Sequence, residues 1–170
     1  MNKKSTIYYL LIILCFSNLK VVAQIKNQEY KLMLDSLYEH DVALITIEEF
    51  KKLNKQSIYL LDTREEEEFS VSHIKNARNV GYFWFDMRKV YDIPKNSKII
   101  LYCSVGYRSE KIAHKLFDAG YKNVFNLYGG LFEWVNQGNP IYTKNGVQTS
   151  EIHTYDKEWA RWVNRGTKVN

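Results

Sequence analysis

The chain is poor in the residue types that cross-link, break or metallate a polypeptide. Of its 170 residues, two are cysteine, two proline and four histidine. His40, His114 and His153 are scattered and fit no ligand spacing, so neither a metal nor another cofactor is expected. Long apolar runs are missing as well. Ile7 to Phe16 supplies ten residues, against roughly 20 needed to cross a bilayer as a helix, so no stable membrane insertion is expected. Charge of one sign is also scarce. The formal net charge is +5, and Lys3, Lys4 and Lys20 account for three of it, leaving +2 beyond residue 23. That balance gives no case for a nucleic-acid partner or an anionic membrane surface. No internal repeat or low-complexity tract is evident.

The first residues read as a leader. Asn2-Lys3-Lys4 is a basic start, the short apolar run follows, and Val21-Val22-Ala23 places small or modest residues before Gln24. The expectation is a signal peptide over 1–23, cleaved after Ala23, and an exported product, periplasmic or secreted. Lipid attachment at Cys15 is the alternative, opposed by the bulk of Leu14. Cleavage would remove Cys15 and leave Cys103 alone, so no internal disulfide could form. Cys103 is then either an inert buried thiol or a reactive one.

What is present is a β/α alternation around one stretch. Lys98 to Tyr102 is an apolar, β-favouring run that predicts a buried strand. From Arg108 the apolar residues Ile112, Ala113, Leu116 and Phe117 recur at helical spacing, and Gly120 is placed to close the helix. Cys103 therefore ends a strand, and a tight loop through Gly106 leads into a helix. Such a loop aims backbone N–H groups and a helix dipole at the sulfur, conditions that favour a nucleophilic thiolate.

Around it, 24–43 predicts an N-terminal helical arm, and Thr46 with Glu49 a capping box for a helix over 47–53. Ser57 to Leu61 predicts a second buried strand, with Asp62 at its end. Thr63 and Glu66 predict another capping box, before the acidic first turn Glu65 to Glu68. Ser72 to Val80 reads as a loop entering a short strand, Tyr82 to Val90 as an amphipathic helix, and Asn123 to Leu127 as a further strand. Gly129-Gly130 opens a helix through Trp134. Tyr142 to Ser150 reads as loop, and Asp156 to Val163 as a possible helix whose Trp159 and Trp162 call for docking of a C-terminal extension, 142–170. The expected class is α/β, a central mostly parallel sheet flanked by helices on both faces, with its reactive site beyond the strand ends.

These residues, taken together, resemble a single-domain rhodanese-like sulfurtransferase over 44–141. The resemblance rests on Leu61-Asp62-Thr63-Arg64, Glu68-Phe69, Ser72-His73-Ile74 with Ala77 and Asn79, Cys103 to Ser109, and Leu127-Tyr128-Gly129-Gly130 with Trp134, Gly138 and Pro140. Four residues separate Cys103 from Arg108, whereas the phosphatases with a similar loop have five, so the smaller cradle suits a persulfide sulfur and argues against phosphatase activity. Asn76 stands where the family usually has Gly, and Asn tolerates a left-handed backbone.

The resemblance implies a sulfurtransferase in which Cys103 takes a sulfane sulfur from a donor such as thiosulfate and passes it to a thiol or cyanide. The alternatives are a persulfide carrier or redox partner of another exported protein, and a non-catalytic binding module; the acceptor partner could also be a protein. Ser104, Val105, Gly106, Tyr107, Arg108 and Ser109 would form the anion cradle. Arg108 either adds positive potential beside Cys103 or turns away to a neighbouring carboxylate. Asp62 and Arg64 are expected in support, Asp62 bonding loop or helix N–H groups and Arg64 pairing with Glu68. His73 reads as a hydrogen-bonding turn residue, Trp134 as core, and Gly129-Gly130 as the place where a helix approaches the sheet.

Overall fold

The structure is a computed structural model in which residues 25–170 are described; the leader and Cys15 lie outside them. Five short strands build the central sheet: β1 (Leu44–Ile45), β2 (Ile58–Asp62), β3 (Arg78–Asn79), β4 (Lys98–Tyr102) and β5 (Asn123–Leu127). Their order is β1-β5-β4-β2-β3, and every pairing is parallel. β4 is central, with Leu101 opposite Leu61 on one side and Ile100 opposite Phe125 on the other.

A strand covered on both faces can be apolar at every position, and β4 is so from Ile99 onward. Ile99 and Leu101 point into one core cluster with Ile112, Ala113 and Leu116 of helix α4 (Tyr107–Asp118). Ile100 and Tyr102 point into the other, with α1 (Gln28–Leu37), α2 (Ile47–Lys52) and α5 (Gly130–Asn136). Helix α3 (Glu66–Val71) follows β2. The α/β class with helices on both faces is what the residue pattern predicts.

The Thr46–Glu49 capping box is present, but the next box is displaced. Helix α3 is capped by Glu65 with Glu68, not by Thr63 with Glu66. Thr63 N–H is still bonded to Tyr102 O at 2.9 Å as an extension of the sheet, so the helix cannot begin there. The helix expected over Tyr82 to Val90 is also absent. Only Met87–Val90 forms a single 3-10 turn, capped by Asp86. The Glu65 carboxylate accepts both Tyr82 N–H and Phe83 N–H, at 3.1 and 2.9 Å, and so ties this stretch to the start of α3. Phe83 and Trp84 are left 73% and 84% exposed.

Beyond α5 the stretch expected as loop is a small antiparallel hairpin, β6 (Ile141–Tyr142) with β7 (Gln148–Thr149). Tyr142 and His73 exchange backbone hydrogen bonds of 2.9 Å each way, fixing the hairpin to the domain. A parallel pair follows, β8 (Glu151–His153) with β9 (Thr167–Val169), and between them lies the short helix α6 (Lys157–Ala160). Trp162 is buried against Tyr30, their ring centroids 5.4 Å apart. Among the described residues no helix is long and apolar enough to cross a membrane.

Candidate active site

Cys103 stands at the C-terminal end of β4, one residue past Tyr102, and is buried. The Gly106 N–H points at its Sγ at 3.1 Å. Gly106 has φ +107° and caps α4, a conformation that costs a Cβ-bearing residue heavily. The peptide carbonyls of this loop are all held elsewhere. Leu131 N–H takes Cys103 O at 2.9 Å and Phe132 N–H takes Ser104 O at 3.0 Å. Tyr38 hydroxyl donates to Val105 O at 2.5 Å, and Glu110 N–H and Asn126 Nδ2 bond Gly106 O at 3.1 and 2.9 Å. With its acceptors so engaged, the loop turns negative dipole ends away from Sγ and leaves the N–H side to face it. The loop backbone is held by three elements besides its own helix.

Those elements explain several sequence features. Gly130 sits at φ +57° with no room for a side chain, since a Cβ would fall 2.5 Å from Cys103 O. Gly129-Gly130, expected where a helix approaches the sheet, permits the close approach of α5 to the Cys103 loop. Tyr38, at the end of α1, reaches across to accept from Gly129 N–H at 3.1 Å while donating to Val105 O. Ser109 Oγ lies 2.8 Å from Asn126 Oδ1 and 2.9 Å from Gly106 O.

Arg108 is bidentate to Glu68, Nη1 to Oε2 at 2.6 Å and Nη2 to Oε1 at 2.8 Å, and Nη2 also reaches Ser104 Oγ at 3.1 Å. Burial works against its charge, yet the Glu68 bonds and the nearby Cys103 more than compensate and hold the guanidinium firmly protonated. Burial pushes the Glu68 carboxyl up, but the Arg108 bonds and charge, with Arg64 behind them, bring it below the usual carboxylate range. Arg108 therefore turns to a carboxylate and remains within electrostatic reach of the sulfur.

Asp62 and Arg64 are fully buried and bonded to each other, Arg64 Nη2 to Asp62 Oδ2 at 2.6 Å. The expected Arg64–Glu68 side-chain pair is not formed. Arg64 meets only the Glu68 backbone carbonyl, at 3.4 Å, because Asp62 and Ser72 O occupy its other donors. Asp62 also accepts Arg64 N–H at 2.9 Å, fixing the turn out of β2. Neither residue lines the cleft over Cys103. His73 is buried, bonds Phe69 O at 3.0 Å through Nδ1 and stacks on the Phe69 ring, a turn residue as read. Trp134 is buried core, and Asn76 adopts φ +64°.

The cleft above Cys103 holds about 300 Å³. Cys103, Ser104, Val105, Tyr107 and Arg108 line it, while Gly106 and Ser109 do not. Elsewhere the fold gathers Glu39, Asp41 and His114, their ligand atoms within 4.8 Å of one another, a grouping no sequence spacing reveals. His114 is bonded to Asp41, and Lys111 pairs with Glu39, so these exposed groups already have partners. The contributions of Tyr38, Glu68, Asn126 and Glu110 to the loop went unread. Of these only Glu68 carries a sequence signal, through the Glu68-Phe69 match.

The chain resembles known proteins both in sequence and in fold. The family model described as "Rhodanese-like domain" matches residues 46–137, more than half of the chain. A sulfurtransferase of Allochromatium vinosum is 31% identical over 91 residues, 54% of this chain and 84% of that protein. A tRNA uridine(34) hydroxylase of Aster yellows witches'-broom phytoplasma is 25% identical over 162 residues, 89% of this chain and 50% of that protein. The chain thus spans half or less of the length of the tRNA uridine(34) hydroxylases it matches. In fold, the chain is similar to a thiosulfate sulfurtransferase of Pseudomonas aeruginosa, with TM-score 0.56 and 20% identity over 67% of this chain and 23% of that one. It is equally similar to the BH2092 protein of Bacillus halodurans, with TM-score 0.56 and 22% identity over 71% and 88%. The chain belongs to the rhodanese-like family.

Proposed function

We propose that this protein is a sulfurtransferase that carries sulfane sulfur as a Cys103 persulfide. The observation that carries the reading is the polarity of the loop. Four successive carbonyls are bonded away from Sγ while Gly106 N–H points at it. A site so arranged stabilises negative charge on sulfur before and after transfer, with no reorganisation at the moment of reaction.

In the first half-reaction the Cys103 thiolate attacks the outer sulfur of the donor. With thiosulfate, the S–S bond of the donor breaks, sulfite leaves with the electron pair, and Cys103–S–S⁻ remains. In the second, a thiol or cyanide takes the terminal sulfur and the Cys103 thiolate returns. No proton need be removed once the thiol is ionised, which agrees with His73 being committed to Phe69. The basic start and short apolar run of residues 1–23 support an exported, periplasmic or secreted protein.

The 162-residue alignment with a tRNA uridine(34) hydroxylase carries a second reading, action on a tRNA uridine. The near-balanced charge beyond residue 23 supports the first instead.

Intact mass before and after donor, alongside Cys103→Ser, is the test. A gain of one sulfur (about 32 Da), removed by a thiol reductant and absent from the variant, is expected. A protein that never gains sulfur from any donor overturns the reading.

A further inference from the structure

The walls of the cleft above Cys103 are mostly rings. Tyr82, Phe83 and Tyr107 come from the domain, and Tyr155 and Trp159 come from the C-terminal extension. Arg108 is the cation on that lining, and its guanidinium is occupied by the two Glu68 oxygens and by Ser104 Oγ. A compact dianion entering here finds no cationic side chain free to pair with it, and leaving water unpaired is expensive. An apolar body finds about 300 Å³ bounded by aromatic faces and gains by every part of its surface removed from water.

The aromatic wall is held in shape. Tyr155 is fixed at φ +69°, its N–H bonded to His153 Nδ1 at 3.1 Å, and Asp156 caps the following turn through Glu158 N–H and Trp159 N–H. The segment is anchored below by buried Ile152 and beyond by buried Trp162. The extension thereby adds two rings to the lining that also holds Phe83 and Cys103.

Resting on the sulfur-transfer reading, we infer that the donor is an organic sulfane-sulfur compound with a compact aromatic or branched apolar body and at most one negative charge, and that Tyr155, Trp159 and Phe83 select it. For an organic hydropersulfide R–S–SH, the Cys103 thiolate attacks the terminal sulfur and the S–S bond of the donor breaks. R–S⁻ leaves with the electron pair, and the proton stays on the transferred sulfur as Cys103–S–SH.

The test uses three donors of one chemistry: thiosulfate, methanethiosulfonate and benzenethiosulfonate anions. In the last two the thiolate takes the terminal sulfur and a sulfinate leaves with the electron pair, so charge and reacting atoms match and only the body differs. Loading rates are read by intact mass, each divided by that donor's rate with free N-acetylcysteine. A phenyl-to-methyl ratio of at least about tenfold is expected, with thiosulfate slowest. Tyr155→Ala, and separately Phe83→Ala, should each lower the ratio by at least about threefold. A native ratio near one, or a ratio that neither variant moves, overturns the inference while leaving sulfur transfer intact. No added mass from any of the three overturns both.

Discussion

Arg108 and Glu68, forty positions apart in the chain, meet in two parallel charge-assisted bonds of 2.6 and 2.8 Å at the edge of the Cys103 loop. The pair links Arg108 to α3, and Ser104 Oγ completes it at 3.1 Å from Arg108 Nη2. The positive charge is thus fixed in place near the sulfur and is not free to follow a ligand.

Removing the carboxylate leaves a largely buried guanidinium without its counter-charge. Glu68→Gln is expected to cost about 2–4 kcal/mol at neutral pH, below the full range for wholly buried pairs because Arg108 keeps some solvent contact. The folded-state pKa of Glu68 lies below the usual value. Its stabilisation is therefore present above the unfolded value of about 4.3 and is lost as pH falls through the lower folded value. Urea midpoints of the native protein and the variant should be well separated at pH 7 and converge in acid below about pH 4. A gap that stays constant down to pH 3 would show that Glu68 acts by packing alone.

Asp62 and Arg64 match the family, yet they stabilise a turn away from the cleft. Asp62→Asn should cost roughly 3–5 kcal/mol by stranding a fully buried arginine. Sulfur loading per folded molecule should stay within about twofold of native, since no reacting atom is touched. Thermal unfolding and donor loading measured on one preparation separate the two effects. A fully folded variant that cannot load would give Asp62 a part in the reaction.

The sheet was legible because β2, β4 and β5 are runs in which nearly every residue meets a core, and the Cys103 loop because a strand pattern stops and a helix pattern starts around it. The partners of the loop were not. Tyr38 lies 67 positions from Val105, and nothing local to either residue announces their bond. The apolar periodicity of Tyr82 to Val90 predicts a helix with a face to bury, but Phe83 and Trp84 meet no core and only Met87–Val90 turns. The pairing of Arg64 with Glu68 does not form because Asp62 holds Arg64 and Glu68 is bonded to Arg108.

Tyr38 is expected to support the site from outside the matched domain. Its hydroxyl satisfies Val105 O and Gly129 N–H at once, so Tyr38→Phe leaves two buried backbone groups unpaired. A loss of about 1–3 kcal/mol should follow, together with slower sulfur loading, because Val105 O is no longer held away from the sulfur. Unchanged stability would mean that water replaces the hydroxyl.

Two glycines, Gly106 in the Cys103 loop and Gly130 packed against it, fail in different ways when given a side chain. At Gly130 a Cβ would lie 2.5 Å from Cys103 O and 2.7 Å from Ser104 O, both backbone atoms. At Gly106 it would lie 2.1 Å from the Tyr38 hydroxyl, the end of a side chain. Both carry positive φ, so each alanine variant also bears strain of about 1–3 kcal/mol. Gly130→Ala should therefore lose stability and loading with no single-residue remedy, as the cradle backbone itself must move. Gly106→Ala should lose both as well, but shortening its neighbour with Tyr38→Ala should make the double variant more stable than the sum of the single losses allows. The coupling is measurable by urea unfolding of the four proteins. Additive losses would place the clash at Gly106 elsewhere than on Tyr38.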